Sequence, residues 1–174
     1  MAQPLETILR NKLETAKCAK RTKCAKRTKR AKRVVLLGVG SDLRGDDAAG
    51  MLVASRLKSC LKVVFGSTAP ENMTGEVRRL KPTHLIIVDA AQMGKRAGAI
   101  EVIEPDRIEG IMFTTHQLPL NILARYLNSE LGCEVILVGI QPKTLKFGKP
   151  VSREVKAAVF KLAALIKKIL TEVS

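Results

Sequence analysis

The sequence lacks the features that mark several large classes of protein. No apolar run approaches the roughly 20 residues that span a lipid bilayer, and the first residues contain no apolar stretch typical of a secretory signal. The four cysteines are scattered and form no C-x-x-C pair, so neither a zinc knuckle nor a disulfide framework is indicated. We therefore expect a protein of the reducing cytoplasm that does not enter a membrane.

Several catalytic and nucleotide-binding motifs are also absent. No serine lies in a G-x-S-x-G elbow, and neither Asp-Thr-Gly nor Asp-Ser-Gly occurs, so the signatures of α/β-hydrolases and pepsin-like proteases are missing. The loop 40–45 has the glycine spacing of a phosphate-binding loop, but Asp46 and Asp47 replace its Lys and Ser or Thr. Leu43 occupies the last glycine position of a dinucleotide fingerprint. We therefore expect no nucleotide cofactor.

Acidic residues are few, and the basic excess is unevenly placed. The formal net charge is +15, and residues 1–33 hold twelve Lys or Arg against two Glu. A tandem repeat, CAKRTK, lies at 18–23 and 24–29. It is either an electrostatic arm for nucleic acid or an acidic partner, or a solvated basic helix, and it lacks aromatic residues for base stacking. We interpret residues 1–32 as a basic, helical extension and 33–174 as the main domain.

Buried strands alternate with helices along the main domain. The apolar runs RVVLLGVG, KVVFG, HLIIVDA and CEVILVGIQP are typical of buried strands, and AIEVIEP alternates like an edge strand. The predicted order β-α-β-α-β-β-α-β-α indicates an α/β fold, with helices on both faces of a mostly parallel sheet and one antiparallel edge strand. Ser152 is the predicted N-cap of the C-terminal helix. The length fits one globular domain, expected to be a monomer.

Polar residues follow the strands where such sheets bind ligands, outside the carboxyl ends. Asp47 lies in the glycine loop, Asp89 ends the most hydrophobic strand, and His116 lies in the polar loop TTHQLPLN. Each has a structural alternative: a helix cap, a strand-end turn and a surface histidine. Together, an Asp/Asp/His set suits a divalent transition metal, so the glycine loop is interpreted as facing a cation.

Six ordered segments between residues 33 and 145 resemble the [NiFe]-hydrogenase maturation endopeptidases, closest to the hydrogenase 3 (formate hydrogenlyase) branch. The segments are VVLLGVGSDLRGDDAAG, STAPENMTGEV, RRLKPTHLIIVDAAQMG, GAIEVIEPD, MFTTHQLPLN and VILVGIQP. The resemblance implies a three-layer α/β/α sandwich and an aspartic-type endopeptidase that removes the C-terminal peptide of the hydrogenase large-subunit precursor after nickel insertion. Ser41 stands where the family usually has Asn, and Ala48 where it often has Gly.

The resemblance also assigns roles to residues. The family's metal-binding positions match Asp47, Asp89 and His116. Our own hypothesis adds that nickel arrives with the precursor and that one of the two aspartates is the general base. Gly40, Ser41 and Glu71 are expected to contact the substrate, with the alternative that Glu71 organises its own loop. Asp46 is expected to support the site and cap the helix. The alternative function is a non-proteolytic protein that binds metal, or nucleic acid through the basic extension.

Overall fold

The computed structural model of the protein describes residues 3–14, 32–104, 112–113 and 120–173. Its helices are α1 (Leu5–Glu14), α2 (Ala49–Leu57), α3 (Thr74–Leu80), α4 (Leu120–Leu131) and α5 (Arg153–Val173), with 3₁₀ turns at Gly45–Ala48 and Pro70–Met73. Its strands are β1 (Val34–Val39), β2 (Lys62–Ser67), β3 (His84–Gln92), β4 (Ile100–Ile103), β5 (Met112–Phe113) and β6 (Glu134–Ile140). The CAKRTK repeat lies outside the described residues. None of the described helices combines the length and the apolar character needed to cross a lipid bilayer.

The described strands join in the order β2-β1-β3-β6-β4. The first four run parallel, and β4 runs antiparallel to β6 at the edge. The prediction of a mostly parallel sheet with one antiparallel edge strand is therefore confirmed. β5 was not predicted; it pairs antiparallel with the end of β3, and two residues are too few to show a strand period.

Alternate residues of the central strands pack on opposite faces of the sheet. Leu36 and Ile86 belong to one buried cluster, which includes residues of α1, α2 and α5. Leu37 and Ile87 belong to a second cluster, which includes residues of α3 and α4. The strands are near-continuous apolar runs because helices cover both of their faces. The three-layer sandwich is confirmed.

Helix α1 packs on the main domain although it lies in the basic extension. Leu9 and Leu13 are fully buried in the cluster that contains α5. At the margin of this contact, Arg10 pairs with Glu172 at 2.5 Å. The helical character predicted for the basic extension is confirmed for Leu5–Glu14, while the domain boundary at residue 33 stays a prediction.

The start of α2 differs from the prediction, and the difference positions the site. The sequence predicted that Asp46 caps this helix, whereas Asp46 and Asp47 both lie in the 3₁₀ turn and α2 begins at Ala49. A Cβ atom on Gly50 would lie 2.1 Å from the carbonyl oxygen of Val88. Glycine there lets the first turn of α2 sit directly against β3, which brings the 3₁₀ turn to the same edge of the sheet.

Candidate active site

The carboxyl ends of three parallel strands lie side by side. Gly38 of β1 pairs with Phe65 of β2 and with Val88 of β3. The residues that follow these positions therefore share one edge of the sheet, called the catalytic edge below after the role predicted for Asp47 and Asp89. It carries the loop 40–48, the turn 68–73 and Asp89. The strands that lead to the two predicted aspartates, β1 and β3, are therefore neighbours in the sheet.

The glycine loop holds Asp47 by two features of its backbone. Gly40 has φ of +126°, and a Cβ there would lie 1.8 Å from the carbonyl oxygen of Asp47, so no other residue fits without displacing the turn. The Ser41 N–H then donates a hydrogen bond of 2.8 Å to Asp47 Oδ2. Asp47 is fully buried. The loop therefore fixes the carboxylate. Ser41 contributes its backbone N–H to Asp47, and its hydroxyl oxygen accepts a hydrogen bond from the Leu43 N–H at 3.3 Å within the loop.

Asp46 does not cap α2, so that part of its predicted role is wrong. Its Oδ2 accepts hydrogen bonds from the N–H groups of Lys143 (2.7 Å) and Thr144 (3.1 Å) and from the Ser152 hydroxyl (2.9 Å). Its Oδ1 accepts one from the Ser152 N–H at 2.6 Å. Four donors to one buried carboxylate are stronger than a single cap bond. Ser152 Oγ accepts from the Val155 N–H at 3.3 Å, which confirms the predicted N-cap of α5.

Asp89 lies within β3 and not at its end, because the strand continues to Gln92. Two of the added residues, Ala91 and Gln92, form the ladder with β5. Asp89 is fully buried, and the 3₁₀ turn that carries Asp47 packs directly against β3. The sheet thus brings both predicted aspartates to the catalytic edge.

The third predicted ligand, His116, lies outside the described residues. Within residues 3–14, 32–104 and 120–173, no three His, Cys, Asp or Glu side chains converge as metal ligands do. Of the three predicted metal ligands, the structure therefore describes only the two aspartates, Asp47 and Asp89. Carboxylate oxygens attract hard and borderline divalent cations.

Glu71 lies at the catalytic edge in the turn after β2. The Gly40 N–H donates to the Ser67 carbonyl oxygen at 2.9 Å, which joins the glycine loop to this turn. Glu71 Oε2 is buried and has no hydrogen-bond partner among the described residues. Burial of a carboxylate oxygen without a partner costs free energy, so a hydrogen-bond donor brought to this oxygen would stabilise it. Its predicted contact with substrate stays a prediction.

Gln141 is an organising residue that the sequence did not single out. Its Oε1 accepts hydrogen bonds from the N–H groups of Met93 (2.7 Å) and Lys95 (3.2 Å), and its Nε2 donates to Gln92 Oε1 at 2.8 Å. It therefore fixes the segment that follows β3. The available signal was a polar residue placed directly after the buried run CEVILVGI, a position that faces the ligand edge of such sheets.

A cavity of about 440 Å³ lies away from the catalytic edge. Arg33 and Val34, at the amino end of β1, and Lys62, at the amino end of β2, line it together with Leu13 and Cys60. These residues lie at the opposite end of the strands from Asp89, so the cavity has no part in the aspartate site.

The two described cysteines do not supply a nucleophile to the site. Cys133 is buried, and burial raises the pKa of its thiol to about 11. It therefore stays protonated at neutral pH, and a thiol is a poor nucleophile compared with a thiolate. Cys60 is exposed and lines the cavity at the far end of the sheet.

Comparison with known proteins gives consistent similarities. A family model described as HycI, hydrogenase maturation protease, matches residues 51–169, a range that includes Asp89 and His116. The chain is 45% identical over 130 residues to the hydrogenase 3 maturation protease of Escherichia coli (strain K12), covering 72% of this chain and 83% of that protein.

Two solved structures of hydrogenase maturation proteases are also similar to this chain. The crystal structure of the [NiFe] hydrogenase maturation protease HycI from Thermococcus kodakarensis KOD1 is similar with a TM-score of 0.72 and 36% identity, covering 80% of this chain and 93% of that one. The solution structure of the endopeptidase HycI from Escherichia coli gives a TM-score of 0.68 and 42% identity, covering 76% and 87% respectively.

Proposed function

The chain belongs to the hydrogenase maturation protease family, and from this premise we propose that it removes the C-terminal peptide of a [NiFe]-hydrogenase large-subunit precursor after nickel insertion. The observation that carries the proposal is the pair of fully buried aspartates, Asp47 and Asp89, at the catalytic edge. Peptide hydrolysis needs an activated water and a polarised carbonyl, and neither Cys60 nor Cys133 lies at that edge.

Nickel enters this scheme as part of the substrate. Asp47, Asp89 and His116 engage the nickel held in the precursor, a donor set of carboxylates and imidazole that suits a divalent transition metal. A metal ion in that position can polarise the scissile carbonyl and lower the pKa of water. One of the two aspartates accepts the proton of the attacking water, since the histidine is needed neutral as a ligand.

The burial of the aspartates supports a checkpoint. Both carboxylates are shielded from water, so a divalent cation that the precursor brings to them meets oxygen ligands of complementary charge. A precursor without nickel brings no such charge to the catalytic edge. Both side chains are fully buried, so productive binding also needs a local rearrangement, which the binding energy of the nickel-loaded precursor would drive.

The surrounding residues prepare the site before the substrate arrives. The Ser41 N–H holds Asp47 Oδ2 at 2.8 Å, and Gly40 permits that geometry, so the carboxylate orientation is set in advance. Glu71, with a buried carboxylate oxygen beside this loop, accepts a hydrogen bond from a backbone N–H of the bound precursor. That contact would align the cleavage segment along the catalytic edge.

The test is the intact mass of a hydrogenase large-subunit precursor after incubation with this protein, with and without prior nickel loading. We expect loss of a short C-terminal peptide from the nickel-loaded precursor alone. Cleavage that is equally fast without nickel would refute the checkpoint while leaving the peptidase activity. No cleavage of either form, with a precursor that a known family member processes, would refute the proposed function.

A further inference from the structure

Two surface segments beside Asp47 are joined into one fixed unit. The Gly148 N–H donates to the Leu43 carbonyl oxygen at 2.8 Å, and the Asp46 N–H donates to the Thr144 carbonyl oxygen at 3.0 Å. The Asp46 carboxylate adds the bonds to Lys143, Thr144 and Ser152 described above. These contacts connect the loop 41–44 to the segment 143–149 at both ends. The conformation of the pair is therefore set by hydrogen bonds and not by burial of its own side chains.

This fixed unit exposes two large apolar side chains. Phe147 is 75% exposed and Leu43 is 63% exposed, the two highest values among the large hydrophobic residues that the structure describes. The hydrogen bond between Leu43 and Gly148 places the backbone of Leu43 beside that of Phe147, the residue before Gly148. Exposed apolar area costs free energy in water, roughly 25 cal/mol per Å². A rigid loop that keeps such side chains in solvent is typical of a protein interaction site.

The apolar pair is bordered by positive charge. Arg44, Lys146 and Lys149 are exposed, and none of them has an acidic ion-pair partner among the described residues. Lys143, in contrast, pairs with Glu154 at 2.6 Å, which neutralises it. Asp42 is the one acidic residue within the loop 41–44. The surface therefore suits a partner that presents an apolar side chain flanked by carboxylates.

We propose that Leu43 and Phe147, with Arg44, Lys146 and Lys149, form a docking surface for the large-subunit precursor, which binds there through an apolar segment bordered by acidic residues. This inference rests on the proposed function, because the precursor is the partner it names. The loop 41–44 leads directly into the turn that carries Asp47, so a protein docked on this surface lies beside the catalytic edge. One bound precursor would then contact the docking surface through its apolar segment and reach the catalytic edge with the segment that is cleaved.

The experiment compares Phe147→Ser, the double variant Leu43→Ser/Phe147→Ser and the charge variant Lys146→Glu/Lys149→Glu. Cleavage of nickel-loaded precursor gives KM and kcat, and isothermal titration calorimetry gives the Kd of the precursor. We expect each variant to raise KM and Kd by roughly tenfold or more, the usual effect of removing an interface anchor, with kcat within about twofold. The wild-type Kd should also rise with added salt because salt screens the charges, whereas the Kd of the charge variant should rise less.

Phe160→Ser is the matched control, because Phe160 is 55% exposed but lies on α5 against Arg56. It should leave KM and Kd unchanged. If wild-type protein cleaves the precursor and Phe147→Ser has the wild-type KM and Kd, the docking surface is wrong and the proposed function stands. If wild-type protein binds the precursor in a Phe147-dependent way without cleaving it, the docking surface stands and the proposed function fails. Absence of both binding and cleavage overturns both.

Discussion

The buried carboxylate of Asp46 accepts hydrogen bonds from both the backbone N–H (2.6 Å) and the hydroxyl (2.9 Å) of Ser152, 106 residues further along the chain. Ser152 is also the N-cap of α5. The loop after β1 is therefore connected to the start of the last helix. This contact explains why the glycine loop carries two carboxylates in succession: Asp46 fastens the loop to the domain, and Asp47 is left to occupy the catalytic edge.

Replacing Asp46 with Ala should lower the free energy of unfolding by on the order of 3 kcal/mol, because the N–H groups of Lys143, Thr144 and Ser152 lose a charged acceptor. Urea denaturation measures this change. Asp42→Ala is the control, since Asp42 is exposed, and should change stability by less than about 0.5 kcal/mol. Equal stability of the two variants would show that the Asp46 bonds contribute nothing.

A pair of glycine substitutions separates a required glycine from a replaceable one. Gly40→Ala should destabilise the protein and abolish cleavage, because its Cβ would lie 1.8 Å from the carbonyl oxygen of Asp47 at a φ of +126°. Gly75→Ala, in α3, meets no atom within 4 Å and should stabilise by up to about 1 kcal/mol through better helix propensity. Thermal unfolding and precursor cleavage are the two measurements. A stable, active Gly40→Ala protein would contradict the proposed loop geometry.

The main features of the fold could be predicted because the burial of its strands is visible in the chain. HLIIVDA and CEVILVGIQP are apolar without alternation, as parallel strands covered on both faces must be. The contacts of Asp46 could not be predicted. Three of its four donors are backbone N–H groups from residues about a hundred positions away. Every residue except proline has a backbone N–H, so the sequence does not indicate which of them will bind Asp46.

The candidate site could be predicted where its residues lie near the carboxyl ends of the parallel strands. Asp47 lies in the loop and turn that follow β1, and Asp89 lies within β3. A doubly wound sheet makes such strands neighbours, and the structure brings both residues to one edge. Gln141 and the pair of Leu43 and Phe147 were not singled out. Gln141 is notable for its hydrogen-bond network, and Leu43 and Phe147 for their exposure. Both properties depend on tertiary structure. His116 lies outside the described residues, so its role remains a prediction from sequence.

Conservative substitutions of the aspartates test the catalytic assignment. Asp47→Asn and Asp89→Asn each remove a charge at nearly constant volume, and we expect the rate of precursor cleavage to fall by at least about a hundredfold, the usual range for losing an acid–base group. His116→Ala should have a similar effect through loss of the third ligand. Intact mass spectrometry follows cleavage, and circular dichroism checks the fold. Asp42→Asn is the control and should cleave normally; full activity in folded Asp47→Asn would remove that residue from the mechanism.

The pH dependence of stability should show the ionisation of Cys133. Burial raises the pKa of its thiol to about 11, against 9.0 ordinarily. The unfolded chain therefore releases this proton at lower pH than the folded protein, so the stabilisation is fully present below pH 9 and is lost as the pH rises toward 11. The wild-type protein should lose on the order of 2 kcal/mol more than Cys133→Ala between these values. Cys60→Ala, which removes an exposed thiol, should follow the wild type in urea denaturation across the range.

Helix α1 gives the remaining prediction, because it shows whether the N-terminal region is an appendage or part of the domain. Leu13 is fully buried in the cluster with α5, so Leu13→Ala should lower the free energy of unfolding by about 2–5 kcal/mol through lost burial and the cavity left behind. Ile122→Ala is the control, since Ile122 is 50% exposed on α4, and should cost less than about 1 kcal/mol. If α1 were an independent appendage, Leu13→Ala would leave the single cooperative unfolding transition unchanged. A shift of that whole transition would instead place α1 in the same cooperative unit as the sheet that carries the aspartates.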